Sequence, residues 1–171
     1  MTTEYLLQGE VDLVLAALMP GNRLAMRVAL HTGLRIGDVL ALRTAQIKPR
    51  FWITEQKTGK RRCVGLPEDL RAEVLAQAGE VWAFPGRKPG KHRTRQAVWK
   101  DIKRAAKAFR LPVNAGTHSA RKVYAVELMR EYGDIKRVAR NLNHSHEGTT
   151  MIYALADAQR KANCGQRRKR S

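Results

Sequence analysis

Thr32-Gly33-Leu34-Arg35-Ile36-Gly37-Asp38 is the stretch from which the fold can be read outward. Residues 23–31 before it have helical character. Gly33 is placed to end that helix in a left-handed conformation, which a residue without a Cβ adopts at little cost. Arg35 follows at once, with Asp38 three residues on as an acid able to orient its guanidinium. A further helix is expected from about Arg35, carrying Val39, Leu40 and Leu42. Upstream, Val11, Val14, Leu15 and Leu18 recur at helical spacing, and Pro20-Gly21 is expected to stop that first helix. Downstream, Phe51-Trp52-Ile53-Thr54 is β-prone, Thr58-Gly59-Lys60 reads as a turn and residues 62–66 as a return strand. This is a hairpin with Lys57 just before its turn, closed by Pro67.

The remainder is helical with one long loop. Residues 68–78 are expected to form a helix with Leu70, Val74 and Leu75 inward, and residues 84–92, FPGRKPGKH, a loop with two Pro-Gly pairs. Over residues 94–109, Val98, Ile102, Ala105 and Phe109 make an apolar stripe, while Arg95, Lys100, Lys103, Arg104 and Lys107 crowd the other faces. Thr117 is a plausible N-cap for a helix running to Tyr132 and ending at Gly133. Asp134 can cap the next, in which Ile135, Val138, Ala139 and Leu142 recur. Residues 149–162 read as a last helix, followed by a basic tail over about 160–171. The expected class is mainly α with a small antiparallel β-sheet, a hairpin or three strands, in a single domain covering residues 1–171.

Composition narrows the partner. The 171 residues carry 33 Lys and Arg against 15 Asp and Glu, a net charge of +18, on a chain that is 43% hydrophobic. Such an excess on a folded body calls for an anionic partner, with nucleic acid foremost. No apolar run approaches the roughly 20 residues that span a bilayer, and the start lacks the pattern of a secretory leader, so a cytoplasmic protein without a membrane partner is expected. Cys63 and Cys164 are far apart in sequence and read as free thiols.

Thr117-His118-Ser119-Ala120-Arg121 places a His and an Arg three apart in a first helical turn, where unpaired N–H groups already favour anions. Alone, this pair also fits a solvated helix edge. Its company gives it weight: Arg35 and Lys57 precede it, and Leu142-Asn143-His144 follows, with Tyr153 nine residues after His144. In this order and spacing the chain resembles the tyrosine recombinases, the phage integrases and their relatives, from about Leu13 to Asp157.

The resemblance implies the catalytic-domain fold of DNA breaking-rejoining enzymes, with Arg35, Lys57, His118, Arg121, His144 and Tyr153 as the active site and Asp38 in support. It implies a site-specific recombinase or integrase, bacterial or encoded by a phage or mobile element, acting on double-stranded DNA as a tetramer, with a monomer as the alternative when free. No metal and no cofactor are implied. The chemistry suits the residue types. A tyrosine phenol can hold a phosphoryl group covalently and so split one transfer into two, conserving the bond energy without ATP. Two Arg forks, Arg35 and Arg121, suit the charge on the non-bridging oxygens. Lys57 can protonate the 5′-oxygen leaving group, and His118 can take the proton of a phenol whose ordinary pKa is about 10. His144 would hydrogen-bond a phosphate oxygen.

Other readings stand beside these. Lys60, Arg61 and Arg62 crowd the same turn as Lys57, so a solvated basic hairpin would look similar. The register of the Leu142 segment favours His144 over His146. Tyr5, Tyr124 and Tyr132 read as structural, and His31 and His92 as non-catalytic. Asn143 stands where many relatives have Gly, and Ser119-Ala120 where a bulkier apolar residue often precedes the Arg. The family's usual N-terminal core-binding domain has no counterpart in this chain. The chain is therefore either part of a longer protein or a minimal enzyme, with salt-sensitive binding expected. Arg87, Lys88, Lys91, Arg93, Arg95, Lys103, Arg104 and Lys107 are the candidate DNA contacts, supplying phosphate affinity without identifying bases. Residues 155–163 either dock on a neighbouring protomer or fray. A type IB topoisomerase, a telomere resolvase and a non-cleaving DNA-binding protein of the same fold are the competing functions.

Overall fold

The helix expected over residues 23–31 is the organising element of the computed structural model, which describes residues 3–142 together with Met151 and Leu155. This helix, α2 (Pro20–Thr32), buries Asn22, Leu24, Ala25, Met26, Val28, Ala29 and Thr32. Apolar side chains cover most of its circumference, so it is central rather than a surface helix. It packs against α1 (Gln8–Ala17), α3 (Ile36–Leu40), α4 (Glu68–Gln77), α5 (Arg95–Ala108) and α6 (Ser119–Tyr132). Two strands, β1 (Arg50–Thr54) and β2 (Arg61–Gly65), pair antiparallel with Trp52 opposite Cys63. Phe51 and Ile53 of β1 and Val64 of β2 face the core, while Trp52 stands 58% exposed on the outer side. The period of two thus seats one face of the hairpin on the helices. A smaller cluster of Ala125, Leu128, Val138 and Leu142 fixes α7 (Ile135–Asn141) against α6.

The mainly helical α+β class with a small antiparallel sheet is as expected, and among the described residues that sheet has two strands. Several local expectations are corrected. Pro20-Gly21 does not end the first helix: α1 stops at Ala17, and Pro20 opens α2. At the first helical position a missing N–H costs nothing. Leu75 points outward at 40% exposure, because Leu70 and Val74, four apart, already define the buried face of α4. Phe109 lies beyond the last turn of α5 and is 41% exposed. Thr117 is buried one residue before the N-cap of α6, which is His118. Asp134 does cap α7, accepting from the N–H groups of Lys136 and Arg137. The helix expected over residues 149–162 lies outside the described residues apart from Met151 and Leu155, both helical and exposed.

The basic loop between α4 and α5 is tied to the body. Arg43 stacks over the Trp82 ring at 4.8 Å, Trp82 meets His92 edge-on at 5.0 Å, and the Trp82 indole N–H donates to Gly90 O at 3.0 Å.

Candidate active site

The end of α2 aims Arg35. The Thr32 hydroxyl donates back to Val28 O at 2.7 Å, and Gly33 turns left-handed at φ 66° with its N–H on Ala29 O. A Cβ there would lie 2.2 Å from Tyr124 Cδ1, so the ring of Tyr124 occupies the space that any other residue would fill. Leu34, 1% exposed, plugs into the core and leaves Arg35 as the N-cap of α3.

The Arg35 guanidinium meets an acid, though not the one its spacing suggests. Arg35 is ion-paired with Glu55, a fully buried carboxylate at the end of β1. Asp38 instead accepts from the Gln56 N–H at 2.9 Å, and its second carboxylate oxygen is buried without a hydrogen-bond partner among the described residues. Burial pushes the Asp38 carboxyl above its usual range. The Gln56 N–H opposes this shift, the Glu55 charge adds to it, and Arg35 and Arg121 oppose it. Arg62 of β2 lies 3.8 Å from the other Glu55 oxygen and donates to Thr32 O. Burial lowers the Arg62 pKa, against the pull of Tyr124 and Glu55.

Arg35, Asp38, Lys57 and His118 line one cleft of about 450 Å³, together with Gln56 and Arg95. His118 sits at the start of α6, and its pKa is lowered by partial burial and then by the positive charges of Arg121, Arg35, Arg95 and Lys57. An imidazole held below its ordinary range is neutral at pH 7 and able to accept a proton. Arg121 is 2% exposed and is not among the residues that line this cleft. It donates to Gly33 O at 2.7 Å and to Leu142 O, joining α6 to the end of α2 and the end of α7. His144 and Tyr153 lie outside the described residues.

The phage integrase family model matches residues 4–160. The chain belongs to the phage integrase family. The integrase of Escherichia phage P2 is 32% identical over 154 residues, covering 89% of this chain and 43% of that protein. Among solved structures, the XerH site-specific recombinase in a post-cleavage complex with palindromic difH substrate superposes with a TM-score of 0.72 at 21% identity, over 96% of this chain and 53% of that one. The catalytic domain of bacteriophage HP1 integrase gives a TM-score of 0.66 at 23% identity, over 91% of this chain and 89% of that one. These two likenesses are of fold. The chain spans about half the length of the P2 and XerH proteins.

In this integrase-family chain the candidate DNA-contacting cations divide by their partners. Arg87, Lys88, Lys91, Arg95 and Lys107 are exposed. Arg93 is half-buried, donating to Asn22 Oδ1 at 3.0 Å. Lys103 donates to Asn114 and lies 5.7 Å over the Trp99 ring. Arg104 pairs with Asp101 at 2.7 Å and caps Ala17 O at the end of α1. These last three hold the fold together. Glu55 was not legible as a site residue, although one signal existed: it is the only acid between Arg50 and Pro67 in an otherwise cationic hairpin. No helix among the described residues is long and apolar enough to cross a membrane.

Proposed function

We propose that the chain is the catalytic domain of a site-specific DNA recombinase that cleaves and rejoins double-stranded DNA through a transient 3′-phosphotyrosine at Tyr153, without metal or ATP. The observation that carries this reading is the meeting of Arg35, Lys57 and His118 around one cleft, where partial burial and then the neighbouring cations lower the pKa of the imidazole. The Tyr153 phenol attacks the scissile phosphorus as its proton passes to His118. Arg35 offsets the charge on the non-bridging oxygens from the cleft wall, the buried Arg121 adds positive charge without lining the cleft, and His144 hydrogen-bonds one of those oxygens. The bond to the 5′-oxygen breaks, and Lys57 gives that oxygen its proton. Rejoining is the reverse attack by a 5′-hydroxyl on the phosphotyrosine. Exposed Arg87, Lys88, Lys91, Arg95 and Lys107 track the flanking phosphates. Four protomers on two DNA sites would exchange strands.

A nicked suicide substrate tests this directly. The wild-type chain is expected to form a covalent DNA adduct, and Tyr153→Phe to bind equally well without forming one. Absence of an adduct from wild type that still binds would refute the cleavage chemistry and leave a non-cleaving DNA-binding protein. Relaxation of a supercoiled plasmid without recombinant products would instead indicate a topoisomerase-like enzyme.

A further inference from the structure

Glu55 has no part in the chemistry proposed above, yet it is the most deeply buried charged side chain in the neighbourhood of the cleft, at 0% exposure. A carboxylate is not taken out of water without partners that compensate for its lost hydration. Those partners are specific. One oxygen of Glu55 is ion-paired with Arg35 and also accepts from the Thr58 hydroxyl at 3.3 Å, while the other lies 3.8 Å from Arg62. Its main chain is equally committed. The Glu55 N–H donates to Lys60 O at 3.0 Å, and its carbonyl accepts from Gly59 N at 2.8 Å and Thr58 N at 3.3 Å. The residue whose side chain holds Arg35 is thus also the base of the turn that carries Lys57. Arg62 closes the circuit by donating to Thr32 O, three residues before Arg35.

We propose that Glu55 is a positioning residue for strand cleavage: its carboxylate holds the Arg35 guanidinium in register with the hairpin turn that presents Lys57. The proposal rests on the cleavage reading above. A guanidinium has five N–H donors in a rigid fork, and one carboxylate oxygen engages only one corner of it. Arg35, with 18% of its side chain exposed, is steered from the protein side while facing the cleft. Asp38 does not fill this role, because its bonded oxygen takes the Gln56 N–H. That bond adds a second tie between the Arg35 segment and the same turn.

The test compares the full wild-type chain with Glu55→Gln, which keeps the shape and removes the charge, and Glu55→Asp, which keeps the charge and withdraws it by one methylene. Two quantities are read: the rate of adduct formation at saturating nicked DNA, and the guanidinium NMR signals of Arg35. Loss of geometry at a reacting centre costs up to about a hundredfold in rate. Glu55→Gln is expected to slow adduct formation roughly tenfold to a hundredfold, with DNA affinity within about threefold of wild type. The Arg35 signals, restrained in wild type, should collapse as the guanidinium rotates freely. If Glu55→Gln does not fold, Glu55→Asp must show the same split between rate and affinity. A wild-type rate, an equal loss of rate and affinity, or an unchanged Arg35 spectrum in the folded variant overturns the proposal. A wild-type chain that forms no adduct refutes the cleavage reading, and the Arg35 spectrum then decides by itself whether Glu55 holds that side chain.

Discussion

Gly33→Ala should be among the most damaging single-methyl additions in this molecule, and its cost can be worked from two separate sources. The backbone at position 33 has φ 66°, in the left-handed region, where an L-residue costs about 1–2 kcal/mol. The added Cβ would also lie 2.2 Å from Cδ1, 2.4 Å from Cε1 and 3.0 Å from Cγ of Tyr124. Displacing only the tip of a side chain would relieve little, because contact reaches the base of the ring. Overpacking of this kind costs about 1–3 kcal/mol. The sum is roughly 2–5 kcal/mol, a large share of the ~5–15 kcal/mol that holds an ordinary domain together. Urea unfolding is the assay, with a lowered midpoint at unchanged slope as the expected result. The double variant with Tyr124→Ala separates the terms: the clash is removed while the backbone strain stays, so the two substitutions should couple favourably by about 1–3 kcal/mol. Stability of Gly33→Ala within about 0.5 kcal/mol of wild type would refute the argument, as would strict additivity with Tyr124→Ala.

Three further outcomes follow from charge. Asp38 has a folded pKa raised by burial, so its contribution to stability is present below its unfolded value and lost as pH rises through the raised one. Asp38→Asn should therefore melt higher than wild type at pH 7, with the gap closing below the ordinary carboxylate value of 3.8, and thermal melts across pH will show it. Asp101 behaves oppositely. It is buried against its charge, but Asn22, Arg104 and the Met19 N–H more than compensate, lowering its pKa. Its contribution is present above pH 3.8 and lost as pH falls through the lowered value, so Asp101→Asn should destabilise at pH 7 by about 1–3 kcal/mol in urea titrations. Finally, if His118 is the base, adduct formation should be level through pH 7–8 and fall only below the ordinary histidine value of 6.5. Arg95→Gln, which removes one of the cations lowering that pKa, should move the acidic limb upward, and an unmoved limb would argue against His118.

How much of this was legible in the sequence depended on whether the cause was local. Gly33 and Asp134 declared their roles, because a left-handed helix end and a side-chain cap are decided within a few residues. The hairpin was legible from its β-prone strand and its turn. Pro20 misled because Pro-Gly looks the same whether it ends one helix or begins the next. The partner of Arg35 was not legible for a different reason. Asp38 has the spacing of a helical neighbour, but Glu55 is twenty residues away, and only the fold brings it to the guanidinium. Arg93, Lys103 and Arg104 show the same limit. Nothing in a basic stretch marks which cations are engaged by Asn22, Asn114 and Asp101 and which are exposed without such a bond, and Arg104 is engaged although it is itself exposed.

The depth of each charge decides what the cleft can do. Arg35, Lys57 and Arg95 line it, and crowding three cations into one small space is unfavourable unless negative charge lies near. Glu55, at 0% exposure and ion-paired with Arg35, supplies that charge from outside the cleft lining rather than among the cations. Had the Glu55 carboxylate stood at the mouth, it would have repelled an anion such as the phosphate of the proposed reaction. It would also have favoured the imidazolium form of His118, removing the proton acceptor. With Glu55 sunk and the cations outward, the opening is left positive, and those cations add to the partial burial that lowers the His118 pKa. On the cleavage reading proposed above, attraction for a phosphate and an imidazole left neutral to accept a proton have this order of charge in common, although the same cations make that imidazole a weaker base. A substitution that brings an acid outward, such as Gln56→Glu beside Lys57, should damage both at once.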